Sequence, residues 1–231
     1  MILKVFIVSA VGGMLCLDRI LIQAMLARPI VSAPLIGLIL GDLYTGLIAG
    51  AFLELIWIDR VPIGAYIPPN DTLAAILITA SAILAGQNLG QLSPALIVLS
   101  VLTLLPLGII SQRLDLWIVR KNENLARESL IDAESCDERA IARRHLKAIA
   151  TVGLLSMGFI LLTLPLAIVV LTWIYPRLAG WVISALTFTY GLIPLIGVAV
   201  VLHTIRLRGA LPIVCGVFLT VTAVIAWVRE M

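Results

Sequence analysis

Apolar residues along this chain come in blocks, and the breaks between the blocks carry the information. Residues 2–17 are apolar apart from Lys4 and Ser9, after which Asp18, Arg19, Gln23 and Arg28-Pro29 interrupt the run. A bare stretch of about 16 residues is short for a full membrane span. It is expected to continue helically to about residue 27 or to be partly covered by protein. Gly12-Gly13-Met14-Leu15 ahead of Cys16 does not make a small-residue cleavage site, so this reads as a retained first membrane segment.

Residues 30–58 are apolar, long and interrupted. Gly37 and Gly41 are four apart, as are Gly46 and Gly50, the spacing that lets another helix approach closely. Glu54, four beyond Gly50, continues that packed face. Asp42, after Gly41 and before Tyr44-Thr45, reads as a turn or helix cap. Pro62, Gly64, Pro68 and Pro69 forbid a continuous helix. A new helix is predicted from about Thr72, with Asn70 or Asp71 as its cap. Irregular backbone between apolar segments survives at membrane depth only when buried in protein or lining a cavity.

Residues 72–85 then run into Gly86-Gln87-Asn88. Fourteen helical residues rise only about 21 Å, against a hydrocarbon core of about 30 Å. The expectation is a re-entrant half-helix whose N-terminus aims free N–H groups and partial positive charge into a cavity. Further spans are predicted at 92–110, with Pro94 and Pro106, and at 148–175, with Pro165 and an interfacial Trp173, Tyr175-Pro176-Arg177 end. Residues 178–202 make another, bent by Gly191, Pro194 and Gly197. His203, Arg206 and Arg208 form a basic turn before a last span at 210–228.

Composition agrees with the pattern. The 231 residues are 61% hydrophobic and 13% charged, where a soluble domain is about half apolar and a quarter charged. The expected fold class is therefore all-α: a polytopic membrane protein with broken and re-entrant helices around a midplane pocket. One membrane domain, 1–231, divides into an N-terminal membrane part (1–110), a charged loop (111–147) and a C-terminal membrane part (148–231). The loop holds eight of the chain's 16 Lys and Arg, interleaved with seven acids. The positive-inside rule places it in the cytoplasm. Leu116, Trp117, Val119, Leu125, Leu130 and Ile131 suggest an amphipathic helix lying on the membrane surface. The net charge of +3, with bases interleaved among acids, does not argue for nucleic acid.

Candidate chemistry is sparse. Cys16, Cys136 and Cys215 are isolated, and His145 and His203 form no ligand cluster, so neither a disulfide framework nor a metal site is expected. Nothing calls for a cofactor. There is no Gly-rich phosphate loop and no GK[ST]. What remains is carboxylate at membrane depth, a functional-site hypothesis by default. Glu54 is the first candidate, because a buried carboxylate accepts hydrogen bonds from a polyhydroxyl ligand. Asn70, Asp71 and Thr72 are the others, grouped at a proline-broken bend. Asp18 and Arg19 read as an interfacial pair.

Several ordered motifs resemble a known family. Arg28-Pro29, Leu40-Gly41-Asp42-Leu43-x-Thr45-Gly46, Gly50-Ala51-x-Leu53-Glu54, Ile63-Gly64-Ala65 and Pro69-Asn70-Asp71-Thr72-Leu73-Ala74 look like the membrane-spanning IIC subunit of mannose/sorbose-type sugar phosphotransferase systems. The resemblance is dense over about 17–80 and looser to the C-terminus. Asn70 falls where most members have Asp, Asp59-Arg60 where they have an apolar residue and Gly, and members usually run on for another hydrophobic segment.

The resemblance implies a multi-pass protein of the bacterial inner membrane that binds and moves a hexose. It would work in a hetero-oligomer with a IID membrane subunit and cytosolic IIB and IIA proteins, with phosphoryl transfer done by IIB and none by this chain. It implies Glu54, Asn70, Asp71 and Thr72 as substrate-binding residues. Two other classes are kept beside it. One is a non-transporting sensor or assembly relative. The other is an intramembrane aspartyl enzyme using Asp42 and Asp71, although Leu-Gly-Asp lacks the Gly-x-Gly-Asp context of that class.

Overall fold

The computed structural model describes residues 1–58, 60, 66–204 and isolated helical positions at 212, 215, 216, 219 and 220. Asp59, the breaks at Pro62 and Gly64, the Ile63-Gly64-Ala65 motif, Arg206, Arg208 and nearly all of the last span at 210–228 lie outside the described residues. Among the described residues seven α-helices follow in order: α1 Ile2–Leu17, α2 Pro29–Leu40, α3 Leu43–Trp57, α4 Asp71–Leu89, α5 Pro94–Glu134, α6 Glu138–Ile174 and α7 Gly180–Thr204, with a 3-10 turn at Tyr175–Arg177. No strand occurs among the described residues. Among the described residues, four helices, α4 to α7, are long and apolar enough to cross a membrane.

Helix α4 is the hub. Every residue from Thr72 to Gly86 is buried, as suits a segment apolar all round. Ala74, Ala75, Ile78 and Ala85 pack with α3, α5, α6 and α7 residues such as Leu53, Leu96, Leu171 and Leu186. Leu73, Ile76, Leu77, Ala80, Ile83 and Leu84 pack on the other side with Val8 of α1, Ile36 of α2 and Ile160 and Leu164 of α6.

The half-helix expectation for this segment needs correction. It runs for 19 residues, about 28 Å at 1.5 Å per residue, close to a full span. Gly86-Gln87-Asn88 does not end it because the polar side chain there is satisfied: Gln87 Nε2 donates to Leu40 O at 3.1 Å and Lys4 donates to Gln87 Oε1 at 2.7 Å. Termination waits for Gly90, at φ +70°.

The short elements are instead α2 and α3, of 12 and 15 residues, which form a hairpin. Gly41 adopts φ +87° at the turn, and the following Asp42 N–H donates to Gly37 O at 2.8 Å, closing α2. Asp42 then caps α3: Oδ1 accepts from Thr45 N at 2.9 Å and Oδ2 from the Thr45 hydroxyl at 2.8 Å. The glycine spacing does what it predicts at Gly37, Gly46 and Gly50, whereas Gly41 makes the turn and a Cβ there would meet nothing within 4 Å. A Cβ on Gly46 would sit 2.6 Å from Ala33 O, a backbone atom that cannot swing away. Gly46→Ala must push α2 and α3 apart, at a cost of about 1–3 kcal/mol for overpacking. The expected result is a lower melting temperature of the detergent-solubilised protein; an unchanged melt would mean that the hairpin is loose.

The charged block 111–147 is not a helix lying on the membrane surface. It is the far half of α5, a tight turn at Ser135–Asp137, and the first turns of α6: a two-helix arm continuous with two membrane-crossing helices. The reason is that the apolar positions do not form one outward stripe. Ile118 and Leu125, seven apart, are buried, while Leu130 and Ile131 remain 67% and 66% exposed. Polar ties complete the arm. Arg144 pairs with Glu128 and Asp132 across the hairpin, and Asp137 caps α6 by accepting from Ala140 N at 2.9 Å. The Arg144 hydrogen bond holds the Asp132 carboxyl below its ordinary range, Arg143 adding a weaker field.

Candidate functional site

Between α1 and α2 the chain is irregular, and Asp18 organises it. Its carboxylate accepts from Ala24 N at 3.0 Å and Ala27 N at 3.2 Å, its carbonyl from Gln23 N at 2.8 Å, and only 4% of the residue is exposed. Gln23 and Met25 take positive φ to complete the bend. Asp18 is thus a buried loop anchor rather than half of an interfacial pair. The next residue, Arg19, is left to reach across the molecule.

It reaches the start of α4. Pro68 and Pro69 keep the approach extended, and Asn70 N donates to Gly108 O of α5 at 3.0 Å. Asn70 uses both ends of its amide. Oδ1 accepts from Leu73 N at 2.9 Å, capping α4, and Nδ2 donates to both oxygens of Asp115 at 2.9 and 3.1 Å. Arg19 pairs with Asp71 and lies 3.6 Å from Asp115 Oδ2. One guanidinium therefore joins two carboxylates, and one amide ties the second carboxylate to the helix cap. All three charged side chains keep partial access, 32% for Arg19 and 20% for each acid.

This network stands on the wall of a cavity of about 590 Å³, within the roughly 300–1,000 Å³ range of small-molecule sites. Arg28, Tyr66 and Ile67 line it from the connecting segments, Ile118 and Asn122 from α5, and Cys16 and Ser156 from α1 and α6. Asp71 Oδ1 takes Arg19 and the Thr72 N–H (2.8 Å), while its Oδ2 has no protein hydrogen bond among the described residues. No grouping of three or more metal-ligating side chains occurs among them.

The sequence candidates separate here. Asn70 and Asp71 come together on the cavity wall. Thr72 turns away, fully buried, its hydroxyl donating to Ala27 O at 2.7 Å. Glu54 is not on the wall. It lies behind Arg28, which it meets at 3.2 Å, and it accepts from Ile30 N in the first turn of α2 at 3.4 Å. Arg28 has one foot in each place, lining the cavity and pairing with Glu54. The free N–H groups expected at the start of α4 are also spent, on Asp71 Oδ1 and Asn70 Oδ1. Side chains, not the helix terminus, face the cavity. Asp42 caps α3 and does not line the cavity, so the paired-aspartate arrangement of an intramembrane enzyme is not supported.

Arg19 is read from the sequence as half of an interfacial pair, and Asp115 is not singled out by pattern at all. Asp115 falls by number in the charged loop, but Gly108, Ser111, Asp115, Ile118 and Asn122 follow one another by three or four residues. That spacing puts them on one face of α5, and the face runs from the Asn70 contact into the cavity.

Comparison with known proteins adds a frame. Residues 2–227 match the family model described as the PTS system sorbose-specific IIC component. A mannose-specific EIIC component of the phosphotransferase system from Escherichia coli K12 is 38% identical over 89 residues, which are 38% of this chain and 32% of that protein. The chain thus spans about a third of that relative's length in the match. A sorbose-specific EIIC component from Klebsiella pneumoniae is 26% identical over 212 residues, 91% of this chain and 76% of that one. The cryo-EM structure of the mannose transporter ManYZ with microcin E492 contains a chain with TM-score 0.59 and 25% identity, covering 99% of this chain and 92% of that one. A second membrane-protein structure, at TM-score 0.67 and 24% identity over 97% of this chain and 94% of that one, shares the fold.

Proposed function

This chain belongs to the sorbose-specific IIC family of the sugar phosphotransferase system, and we propose from that premise that its cavity binds a hexose on the way across the membrane. The observation that carries the reading is the joining of Arg19, Asn70, Asp71 and Asp115 on one wall of a cavity of about 590 Å³. A hexose offers hydroxyls that both donate and accept. The open Asp71 Oδ2 accepts from one, and Arg19 and Arg28 donate to others. Each such bond contributes about 0.5–1.5 kcal/mol net, so a few of them give weak binding that permits release. Nothing in this set activates a nucleophile or cradles a phosphate, and the chain moves the sugar without phosphorylating it.

The remaining parts belong to the same proposal. The membrane is the bacterial inner membrane. The arm built from residues 111–147 faces the cytoplasm, since half of the chain's Lys and Arg lie there. A IID subunit completes the membrane unit, and IIB, recharged by IIA, phosphorylates the arriving sugar. Glu54 acts as a positioning residue, holding Arg28 against the cavity.

The test is equilibrium binding of radiolabelled mannose, fructose and sorbose to the chain in nanodiscs. Binding of at least one, lost in Asp71→Asn, supports the reading; a folded chain that binds none overturns it. Glu54→Gln keeps an acceptor for Ile30 N–H but removes the charge opposite Arg28. It is expected to weaken binding about 2–10-fold, the equivalent of one hydrogen bond, and to lower uptake in cells at normal expression. Unchanged binding and uptake would separate Glu54 from the site.

A further inference from the structure

The arm carries a feature that the sugar cavity does not use. Arg139, Arg143 and Lys147 follow one another at intervals of four, so they form a single stripe along α6. Neighbouring Arg144 is engaged by Glu128 and Asp132, the latter giving both oxygens to it. The three stripe residues form no salt bridge among the described residues, although Arg143 is near enough to Asp132 for its field to act on that carboxyl. Arg143 only donates through Nε to the Arg139 carbonyl, at 3.3 Å. The stripe also starts at the second residue of a helix, where cations are disfavoured by the macrodipole. Arg143 and Lys147, with Ala140 and Arg144, line a groove of about 310 Å³. Leu146 beside it is 64% exposed on a segment that continues beyond the apolar part of α6.

We propose that this cationic stripe is the docking surface for a soluble protein with an acidic or phosphorylated face. Direction decides between a protein and lipid headgroups. Helix α6 is unbroken from Glu138 to Ile174, so the stripe runs along the axis of a membrane-crossing helix. Lys147 lies about 7–8 Å along that axis from Val152 on the cavity wall, and Arg139 about 12 Å further out. Headgroups meet only the lower end of such a stripe, whereas a protein docked against the arm meets all of it. A carrier held there sits over the cavity, because the same two helices supply Asp115, Asn122, Val152 and Ser156 to its lining. Naming the carrier as the phosphorylated IIB protein rests on the reading given under Proposed function; the stripe itself does not.

The experiment uses the full chain in phosphatidylcholine nanodiscs and the phosphorylated IIB protein of its own sugar system as the probe. Wild-type binding is expected to weaken with salt, because unscreened cations are the attraction. The triple variant R139E/R143E/K147E is expected to bind IIB at least about 10-fold more weakly and the neutral R139Q/R143Q/K147Q to fall between. Hexose binding and melting temperature stay at wild-type values in both. Equal IIB binding by all three proteins overturns the docking surface. So does a difference that appears only when phosphatidylglycerol is added, which assigns the stripe to headgroups. A wild-type chain that binds IIB through the stripe but no hexose keeps this proposal and removes the cavity reading.

Discussion

Arg19→Ala is expected to abolish hexose uptake while the chain still inserts. Among the described residues, the guanidinium is the one cation that touches both Asp71 and Asp115. Without it two carboxylates share a wall with only the Asn70 amide between them. Breaking a fully buried ion pair costs about 3–5 kcal/mol. These side chains keep 20–32% of their surface accessible, so screening reduces the structural penalty to about 1–3 kcal/mol. That is enough to splay the wall and not enough to unfold a chain whose core lies along α4. The functional penalty is larger, because a wall misplaced by about 1 Å costs of order 100-fold in a positioned reaction or transfer.

Arg19→Lys is not a mild control. A single ammonium meets one carboxylate at a time, whereas the planar fork serves both. Lysine should therefore restore the melting temperature, with insertion unchanged, but recover only a small part of the uptake. Uptake near wild type in the alanine variant, at matched expression, would falsify the role given to Arg19.

How much of this was legible in the sequence depends on the kind of signal. The packed glycine face was readable because small residues at intervals of four have one common use, and Gly37, Gly46 and Gly50 meet backbone across the α2–α3 hairpin. Asp42 is readable as a cap, and Asn70 as one of two candidates beside Asp71, because short acceptors before a helix have few other places to go. The segment lengths mislead where a polar residue reads as an end. Gln87 is polar, but Leu40 O and Lys4 satisfy it from other helices, so α4 runs on through it. Tertiary satisfaction of this kind leaves no local trace.

Glu54 illustrates the opposite limit. Its spacing correctly placed it on the packed face, but a packed face has more than one side. What lies beside it is Arg28 at the root of the same hairpin, with the cavity beyond. The charged block misled for a related reason. Leu116, Trp117, Val119, Leu125, Leu130 and Ile131 suggest a helix lying on the membrane surface, and that pattern hides that Ile118 and Leu125, seven apart, are both buried. Asp115 opens that block by number but belongs to the membrane part by face. A boundary drawn at a change of composition therefore cut the site in two.

The second large effect comes from exchanging the members of the Asn70–Asp115 pair. Asn70→Asp keeps the helix cap, because an aspartate also accepts from Leu73 N. It removes the donor that both Asp115 oxygens share, at 2.9 and 3.1 Å, and puts an anion in its place. Three carboxylates then surround one guanidinium. The expected outcome is loss of hexose uptake by about 10-fold or more, the equivalent of a hydrogen bond to a charged group turned into a repulsion, with a lower melting temperature. Adding Asp115→Asn to the same chain returns an amide donor to the contact from the opposite side and restores the charge count around Arg19. The double variant should recover melting temperature and much of the uptake, although Asp115→Asn alone leaves two amides facing each other and is itself impaired. A cycle of the four proteins measures the coupling directly. Strictly additive losses would mean that Asn70 and Asp115 act separately and that the wall is not a unit; recovery in the double variant identifies the pair, rather than either residue alone, as what holds the mouth of α4 against α5.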